Sequence, residues 1–196
     1  MEQVVIIGGG LAGLTSALHL VQLGVPVTLV EKKVYPFHRV CGEYVSNEVL
    51  PYLRRLGAEV EQLAPAAISH FILSSPAGKL LESKLDLGGF GISRYTLDHY
   101  LYQLALEKGV KFRLQTTVQE VAFTDNHFTL RLSDGEHLSA EIVIGAYGKR
   151  TNLDRQLSRS FFGRRSPYIG VKYHLHYRQP KNQIALLNFK DGYAGI

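Results

Sequence analysis

The first thirty residues alternate between apolar runs and glycine breaks in a way that predicts one supersecondary unit. Val4–Ile7 is a continuous β-branched run, typical of a strand buried on both faces. A helix is predicted from Leu11 to Leu23, because leucines and a valine recur along one face and Gly24 follows the last turn. Val27–Glu31 predicts a second strand. Two strands joined through a helix by short connections indicate a right-handed parallel βαβ unit.

The rest of the chain predicts two further helices and a series of strands. One helix is predicted over 46–56, and the other begins with Thr96 as N-cap and reaches Lys108. The predicted strands cover 68–75, 79–87, 110–114, 118–123, 128–132, 138–144, 168–178 and 184–190. The three strands between 118 and 144 are predicted to form an antiparallel meander with turns at Asp125-Asn126 and Asp134-Gly135. The final six residues predict a turn and a new strand, so we expect the front part of a longer protein.

Composition limits the class of protein. Apolar residues make up 45% and charged residues 20% of the 196 residues, which is typical of a globular chain with a substantial core. The single cysteine, Cys41, excludes an intrachain disulfide and a multi-thiolate metal site, and no metal site is predicted. No apolar run reaches the ~20 residues of a membrane helix, and no signal peptide is evident. We therefore expect a cytoplasmic protein.

Charge is distributed unevenly along the chain. Residues 149–181 hold nine Lys and Arg against one Asp, whereas residues 1–148 hold 12 Lys and Arg against 15 Asp and Glu. This asymmetry indicates either an anionic partner for the later segment, such as a phosphate or a nucleic acid, or a solvated face.

The most specific motif is Gly8-x-Gly10-x-x-Gly13, which follows the first predicted strand and opens the first helix. In a dinucleotide-binding turn, the first glycine allows a sharp turn, the second lets a pyrophosphate approach the backbone, and the third lets helix and strand pack closely. Glu31 ends the second strand, 18 residues after Gly13, where a carboxylate can accept hydrogen bonds from ribose hydroxyls. The sequence therefore predicts a dinucleotide site, with a glycine-rich turn that binds nothing as the alternative.

Later segments identify the dinucleotide by resemblance. The long departure after the βαβ unit and the return as a meander resemble the FAD-binding domain of glutathione-reductase-like flavoproteins. Arg39-Val40-Cys41-Gly42-Glu43 resembles the Cys-Gly-Glu segment of geranylgeranyl reductases, and Arg94-Tyr95-Thr96-Leu97-Asp98 is similar to their Arg-x-x-Leu-Asp segment. Residues 140–155 resemble the Gly-Ala-Asp-Gly segment of p-hydroxybenzoate-hydroxylase-like monooxygenases.

This resemblance implies an α/β fold in which a Rossmann-like FAD-binding domain is joined to part of a mainly β substrate domain. The FAD-binding domain is expected to be discontinuous, over residues 1–67 and 94–160. The substrate-domain sheet is expected over 68–93 and 161–196.

The resemblance also implies roles for individual residues. Glu31 would hold the adenosine ribose, Arg39 and Arg94 would neutralise phosphate charge, and Val118 would offer backbone groups to adenine. Lys32 would lie near the adenine or be solvated, and Cys41 and Gly42 would lie beside the flavin ring, with Cys41 as a candidate catalytic thiol. The residues expected to bind the cofactor are Gly8, Gly10, Leu11, Ala12, Gly13, Glu31, Lys32, Arg39, Cys41, Gly42, Arg94, Val118 and Gly148.

The chain departs from the family pattern in two places. Tyr147 stands where the family has an acidic residue that orients FAD and the nicotinamide nucleotide. The family's later Gly-Asp segment, which closes over the flavin, is absent, so we expect an incomplete flavin site.

The function implied is that of an FAD-dependent oxidoreductase, with NAD(P)H as a candidate electron donor. It would reduce an isoprenoid double bond or oxygenate a small hydrophobic or aromatic substrate; a lipid substrate would bring peripheral membrane contact. No residue motif decides between a reductase, a monooxygenase and a halogenase. The alternatives are a nicotinamide-only dehydrogenase and a non-catalytic nucleotide- or nucleic-acid-binding module that uses residues 149–181; nucleic-acid binding is not expected.

Overall fold

A computed structural model describes residues 1–149, 151–163 and 166–196. The chain divides into two compact units, the first formed by Met1–Phe37 and Asp98–Ile169 and the second by His38–Leu97 and Gly170–Ile196. In chain order the elements are β1 (Glu2–Ile7), α1 (Leu11–Gln22), β2 (Val27–Val30), β3 (Tyr44–Ser46), α2 (Leu50–Arg55), β4 (Ala66–Ser74), β5 (Leu80–Gly91), α3 (Arg94–Glu107), β6 (Lys111–Arg113), β7 (Val118–Thr124), β8 (His127–Leu132), β9 (His137–Gly145), α4 (Asn152–Gln156), β10 (Gln183–Phe189) and β11 (Gly192–Gly195). Short 3-10 helices cover Asn47–Val49 and Val60–Leu63.

The first unit is built on a six-stranded sheet with the strand order β6-β2-β1-β9-β8-β7. The central strand β1 pairs in parallel with β2 and with β9, and β2 pairs in parallel with β6. Strands β9, β8 and β7 form an antiparallel meander. The predicted α/β fold, with a βαβ start and a meander, is therefore confirmed.

Local sequence explains why α1 lies where it does. Val5 and Ile6 of β1 and Leu14 and Leu18 of α1 have no exposed surface, so burial fixes which face of the helix meets the sheet. The helix ends as predicted, because Gly24 adopts a left-handed conformation with φ of +76° directly after the last turn. The Gly24 N–H donates to the Val21 carbonyl at 3.0 Å and closes the helix.

The second unit is built on a five-stranded sheet with the strand order β11-β10-β4-β5-β3. Long antiparallel strands β4 and β5 form its centre, with a shift in register between Ile68 and His70. Strand β10 joins β4 in parallel, and β11 folds back on β10 as the final predicted strand.

The predicted helix over 46–56 is wrong in its first half. Ser46 belongs to β3 and pairs with Gly89, so the ladder with β5 occupies the predicted start of the helix. The Ser46 hydroxyl then accepts the Glu48 N–H and begins a 3-10 turn. Helix α2 begins only at Leu50, where Pro51 fits the first turn because its missing N–H is not needed there.

The predicted N-cap of α3 is also wrong. The helix begins at Arg94, and the preceding Ser93 side chain accepts the Thr96 N–H at 3.1 Å. Ser93 therefore makes the capping bond that sequence reasoning assigned to Thr96.

The predicted strand over 168–178 does not form. Its apolar side chains alternate as in a strand, yet Tyr173, Leu175 and Tyr177 are largely exposed. Lys172 instead forms an ion pair with Glu43. A strand requires ladder hydrogen bonds with a neighbour, and the pairings of the second unit do not include this segment.

Two further observations concern membrane-spanning helices and metal sites. Within the described residues, no helix combines the length and apolar character needed to cross a membrane. Nor do three or more His, Cys, Asp or Glu side chains of that part of the chain gather as they would around a metal ion.

Candidate cofactor site

The predicted glycine turn lies at the carboxyl end of β1 in the first unit. Gly8 has a φ of +103°, and a Cβ at this position would lie 2.5 Å from the Ala146 carbonyl oxygen. A Cβ on Gly13 would lie 1.9 Å from the Gly8 carbonyl oxygen. The first and third glycines are therefore required by the backbone itself, as predicted for a tight strand-to-helix turn.

The amino-terminal end of α1 is open. Gly10 is its N-cap in an extended conformation, and among the described residues no side chain caps the helix. The first turn contains no acidic residue, so nothing in it opposes a bound anion electrostatically. The first N–H groups of a helix have no partners inside the helix, and here they belong to the predicted residues Leu11, Ala12 and Gly13. This end of α1 can therefore receive a phosphate group.

Glu31 is buried next to the glycine turn, with 4% of its surface exposed. Its Oε2 accepts the Gly9 N–H at 2.7 Å, and its Oε1 accepts the Lys33 N–H at 3.0 Å. A carboxylate oxygen can accept more than one hydrogen bond, so a bond to a backbone N–H does not by itself prevent the same oxygen from accepting a ligand hydroxyl. Glu31 thus fixes the turn in addition to the ribose-binding role predicted for it.

Tyr35 is a site residue that sequence reasoning missed. Its hydroxyl donates to the Gly9 carbonyl, and its ring stacks on Tyr102. The residue as a whole is 6% exposed. The sequence feature that could have indicated this contact is Gly9. The Gly-x-Gly-x-x-Gly motif allows any residue at position 9, so a glycine there indicates that another group leaves no space for a side chain.

The other predicted residues of this unit occupy varied environments. Val118 is 5% exposed and belongs to the core cluster that includes Val5 and Ile7, so its side chain packs in the hydrophobic core. Gly148 follows β9 and has a φ of +80°, whereas Tyr147 packs against the same core cluster. On the surface lie Ala12 and Lys32, whereas Leu11 is half-buried.

Four predicted residues belong to the second unit, on the segment before β3 and at the start of α3. Arg39, Cys41 and Arg94 are half-buried, and Gly42 is exposed. The Glu43 N–H donates to Cys41 Sγ at 3.4 Å.

Glu43 organises this part of the second unit. It has a left-handed φ of +58°, an uncommon conformation for a residue with a side chain. Its Oε1 accepts the Arg94 N–H at 2.9 Å and pairs with the Lys172 ammonium group. Glu43 also lines a pocket of about 300 Å³ within this unit, together with Tyr44, Gly91 and Ser93. The sequence motif singled out Cys41, but in the structure Glu43 makes the contacts with Arg94 and Lys172.

We expect Lys172→Met to lower the free energy of unfolding by about 1 kcal/mol, because it removes a charge-assisted hydrogen bond to a half-buried carboxylate. Glu43 would keep the Arg94 N–H as a partner. Urea denaturation measures the change, and Lys181→Met, at an exposed lysine, is the matched control. Equal stability of both variants would show that the pair contributes nothing.

The basic segment 149–181 is not a uniform surface. Lys172 is paired with Glu43, and Arg150, Arg164 and Arg165 lie outside the described residues. The remaining cations are exposed: Lys149, Arg155, Arg159, Arg178 and Lys181.

Several characterised proteins resemble this chain in sequence. "Conditioned medium factor receptor 1" of Dictyostelium discoideum is 27% identical, over 79% of this chain and 34% of its own length. "Menaquinone reductase" of Mycolicibacterium smegmatis is 27% identical, over 81% of this chain and 40% of its own. "3-amino-4-hydroxybenzoate 2-monooxygenase PtmB3" of Streptomyces platensis is 29% identical, over 79% and 41%. The chain thus spans about two fifths or less of the length of these relatives.

The fold has counterparts among solved structures. The p-nitrophenol 4-monooxygenase PnpA of Pseudomonas putida DLL-E4 matches 80% of this chain and 43% of its own with a TM-score of 0.70 and 20% identity. This likeness supports the α/β flavoprotein fold. Residues 1–185 match the protein family described as "FAD binding domain". Because that match covers most of the sequence, the chain belongs to the FAD-binding domain family.

Proposed function

We propose that this chain is the FAD-binding part of a flavin-dependent monooxygenase that acts on a small aromatic substrate. The observation that carries the proposal is the open end of α1 next to the buried Glu31 carboxylate. The monooxygenase PtmB3, whose name gives an aminohydroxybenzoate as its substrate, supports the aromatic class.

The residues of the first unit suit the phosphate and ribose of FAD. The N–H groups of Leu11, Ala12 and Gly13 would donate to the pyrophosphate, and the positive end of the helix dipole would stabilise its charge. Glu31 would accept hydrogen bonds from the ribose hydroxyls, since a carboxylate oxygen that accepts a backbone N–H can accept a second hydrogen bond. Gly10 would leave its backbone bare where the pyrophosphate approaches.

When bound, FAD would supply the redox chemistry, including the reaction of its reduced form with dioxygen. The chain's own part is to bind and orient the cofactor. In the second unit, Glu43 would hold the segment with Cys41 and Gly42 in one conformation through its bonds to Arg94 and Lys172. Arg39 and Arg94 are the guanidinium groups proposed to compensate phosphate charge. We assign no acid, base or thiol nucleophile.

A second candidate is the reduction of an isoprenoid compound with NAD(P)H as the electron donor. Two observations favour it: the similarity of 39–43 to geranylgeranyl reductases, and a menaquinone reductase among the relatives. A lipid substrate of this kind would require contact with a membrane surface. For either activity we propose a cytoplasmic location.

The test uses the full-length protein loaded with FAD and supplied with NADH or NADPH. Hydroxylated aromatic acids and an isoprenoid quinone are offered in separate reactions, and products are identified by mass spectrometry. The proposal predicts an aromatic product that has gained one oxygen atom, with nicotinamide consumed in equal amount. A saturated isoprenoid product would establish the second candidate instead. Nicotinamide oxidation without any product would contradict both.

A further inference from the structure

Both backbone polar groups of Gly9 are hydrogen-bonded to side chains of residues that follow β2. The Gly9 N–H donates to Glu31 Oε2 at 2.7 Å, and the Gly9 carbonyl accepts the Tyr35 hydroxyl proton. Both bonds are buried and join residues more than twenty positions apart in sequence. The middle residue of the glycine turn is therefore oriented by tertiary contacts as well as by its own flexibility.

Tyr35 is itself fixed by aromatic packing. Its ring stacks on Tyr102 of α3 with centroids 4.4 Å apart and an interplanar angle of 13°. Tyr102 in turn packs edge-on against Phe112 of β6 at 4.7 Å. Because Tyr35 is 6% exposed and its ring is packed in this way, its hydroxyl has little freedom to move away from Gly9.

The same hydroxyl occupies the space that a side chain at position 9 would need. A Cβ on Gly9 would lie 1.9 Å from the Tyr35 hydroxyl oxygen and 3.1 Å from Cζ of the same ring. The Gly9 backbone does not have a left-handed φ, so space, and not conformation, is what requires glycine here.

Fixing the Gly9 carbonyl also fixes a donor for the ligand. In a trans peptide, the carbonyl and the N–H of the next residue point in opposite directions. A Gly9 carbonyl held by Tyr35 therefore directs the Gly10 N–H away from Tyr35. Gly10 is the N-cap of α1, so its N–H belongs to the same turn as the helix donors.

We propose that Tyr35 is a positioning residue that holds the Gly9–Gly10 peptide in the orientation needed to bind pyrophosphate, and that its hydroxyl restricts position 9 to glycine. This inference rests on the FAD site of the proposed function. It adds to that site a residue that belongs neither to the glycine motif nor to the ribose-binding position of Glu31.

The first test is Tyr35→Phe, which keeps the ring and its stacking. We expect the dissociation constants of FAD and of ADP to rise by about tenfold each, because the loss of one buried hydrogen bond releases the turn that both ligands contact. Tyr193→Phe, at an exposed tyrosine of β11, is the matched control and should bind both ligands as the wild type does. Wild-type affinity in Tyr35→Phe would overturn the positioning role, as would an effect on FAD without one on ADP.

The second test is a double-mutant cycle, measured both by urea denaturation without ligand and by FAD titration. Gly9→Ala should destabilise the fold and weaken FAD binding, and adding Tyr35→Phe should restore part of both losses, because the clashing oxygen is gone. If Gly9→Ala does not fold, recovery of folding in the double variant is the readout. Losses that merely add would overturn the proposal. Failure of the wild type to bind FAD would contradict the proposed function. The stability measurements need no cofactor, so they would still decide whether Tyr35 restricts position 9.

Discussion

Replacing Gly10 with valine should reduce the affinity for FAD by more than 100-fold, corresponding to about 3 kcal/mol, while leaving the fold intact. Gly10 has φ of −83° and ψ of −172°, an extended conformation that valine adopts readily. The fold should therefore lose no more than the ~1 kcal/mol expected for a poor N-cap residue. The branched side chain would instead occupy the space where the pyrophosphate must approach the backbone.

The measurement pairs an FAD titration with urea denaturation of the same samples. Gly163→Val is the matched control, because Gly163 is exposed and a Cβ there meets no other described residue within 4 Å. It carries the same substitution and should bind FAD normally. Unchanged FAD affinity in Gly10→Val would show that the pyrophosphate does not lie on this turn.

Replacing Glu31 with glutamine should destabilise the protein even without FAD, by about 2 kcal/mol. Both carboxylate oxygens accept backbone N–H groups, from Gly9 and from Lys33. Glutamine offers only one oxygen, so its amide NH₂ group would face one of these N–H donors in a buried position. FAD affinity should also fall more than tenfold, because the charged acceptor for the ribose is lost.

The control for this substitution is Glu141→Gln, which neutralises an exposed carboxylate on β9. It should leave the unfolding free energy and the FAD affinity unchanged. If Glu31→Gln weakens FAD binding without any loss of stability in the free protein, the carboxylate does not support the turn. If it loses stability but binds FAD normally, the ribose role is wrong.

The βαβ unit could be predicted because its signals are local. Residues Val4–Ile7 of β1 are apolar and buried, all four residues of β2 are buried, and glycines mark each end of α1. The turn at Asp125 and Asn126 was equally readable, since both residues adopt the positive φ that such a hairpin turn needs.

The errors arose where tertiary pairing overrides a local pattern. The alternation over 168–178 is that of a strand, but a pattern cannot supply the neighbouring strand that the ladder requires. The pairing of Ser46 with Gly89 joins residues 43 positions apart, and it replaced the start of a predicted helix.

The candidate site shows the same division between local and distant signals. The glycine motif and Glu31 have a fixed spacing that a sequence displays directly. Tyr35 and Lys172 act through contacts with Gly9 and Glu43, and nothing in their sequence surroundings announces those partners. The assignments of Arg39, Arg94, Val118 and the other predicted ligand contacts remain predictions.

Every role proposed for this chain depends on FAD binding through the glycine turn and Glu31. The decisive measurement is calorimetric titration of the purified chain with FAD, and separately with ADP. We expect saturable binding of both ligands at one site per chain, with ADP competing against FAD, and loss of both signals in Gly10→Val. Absence of FAD binding in the wild type, or FAD binding that ADP does not displace and Gly10→Val does not weaken, would contradict it.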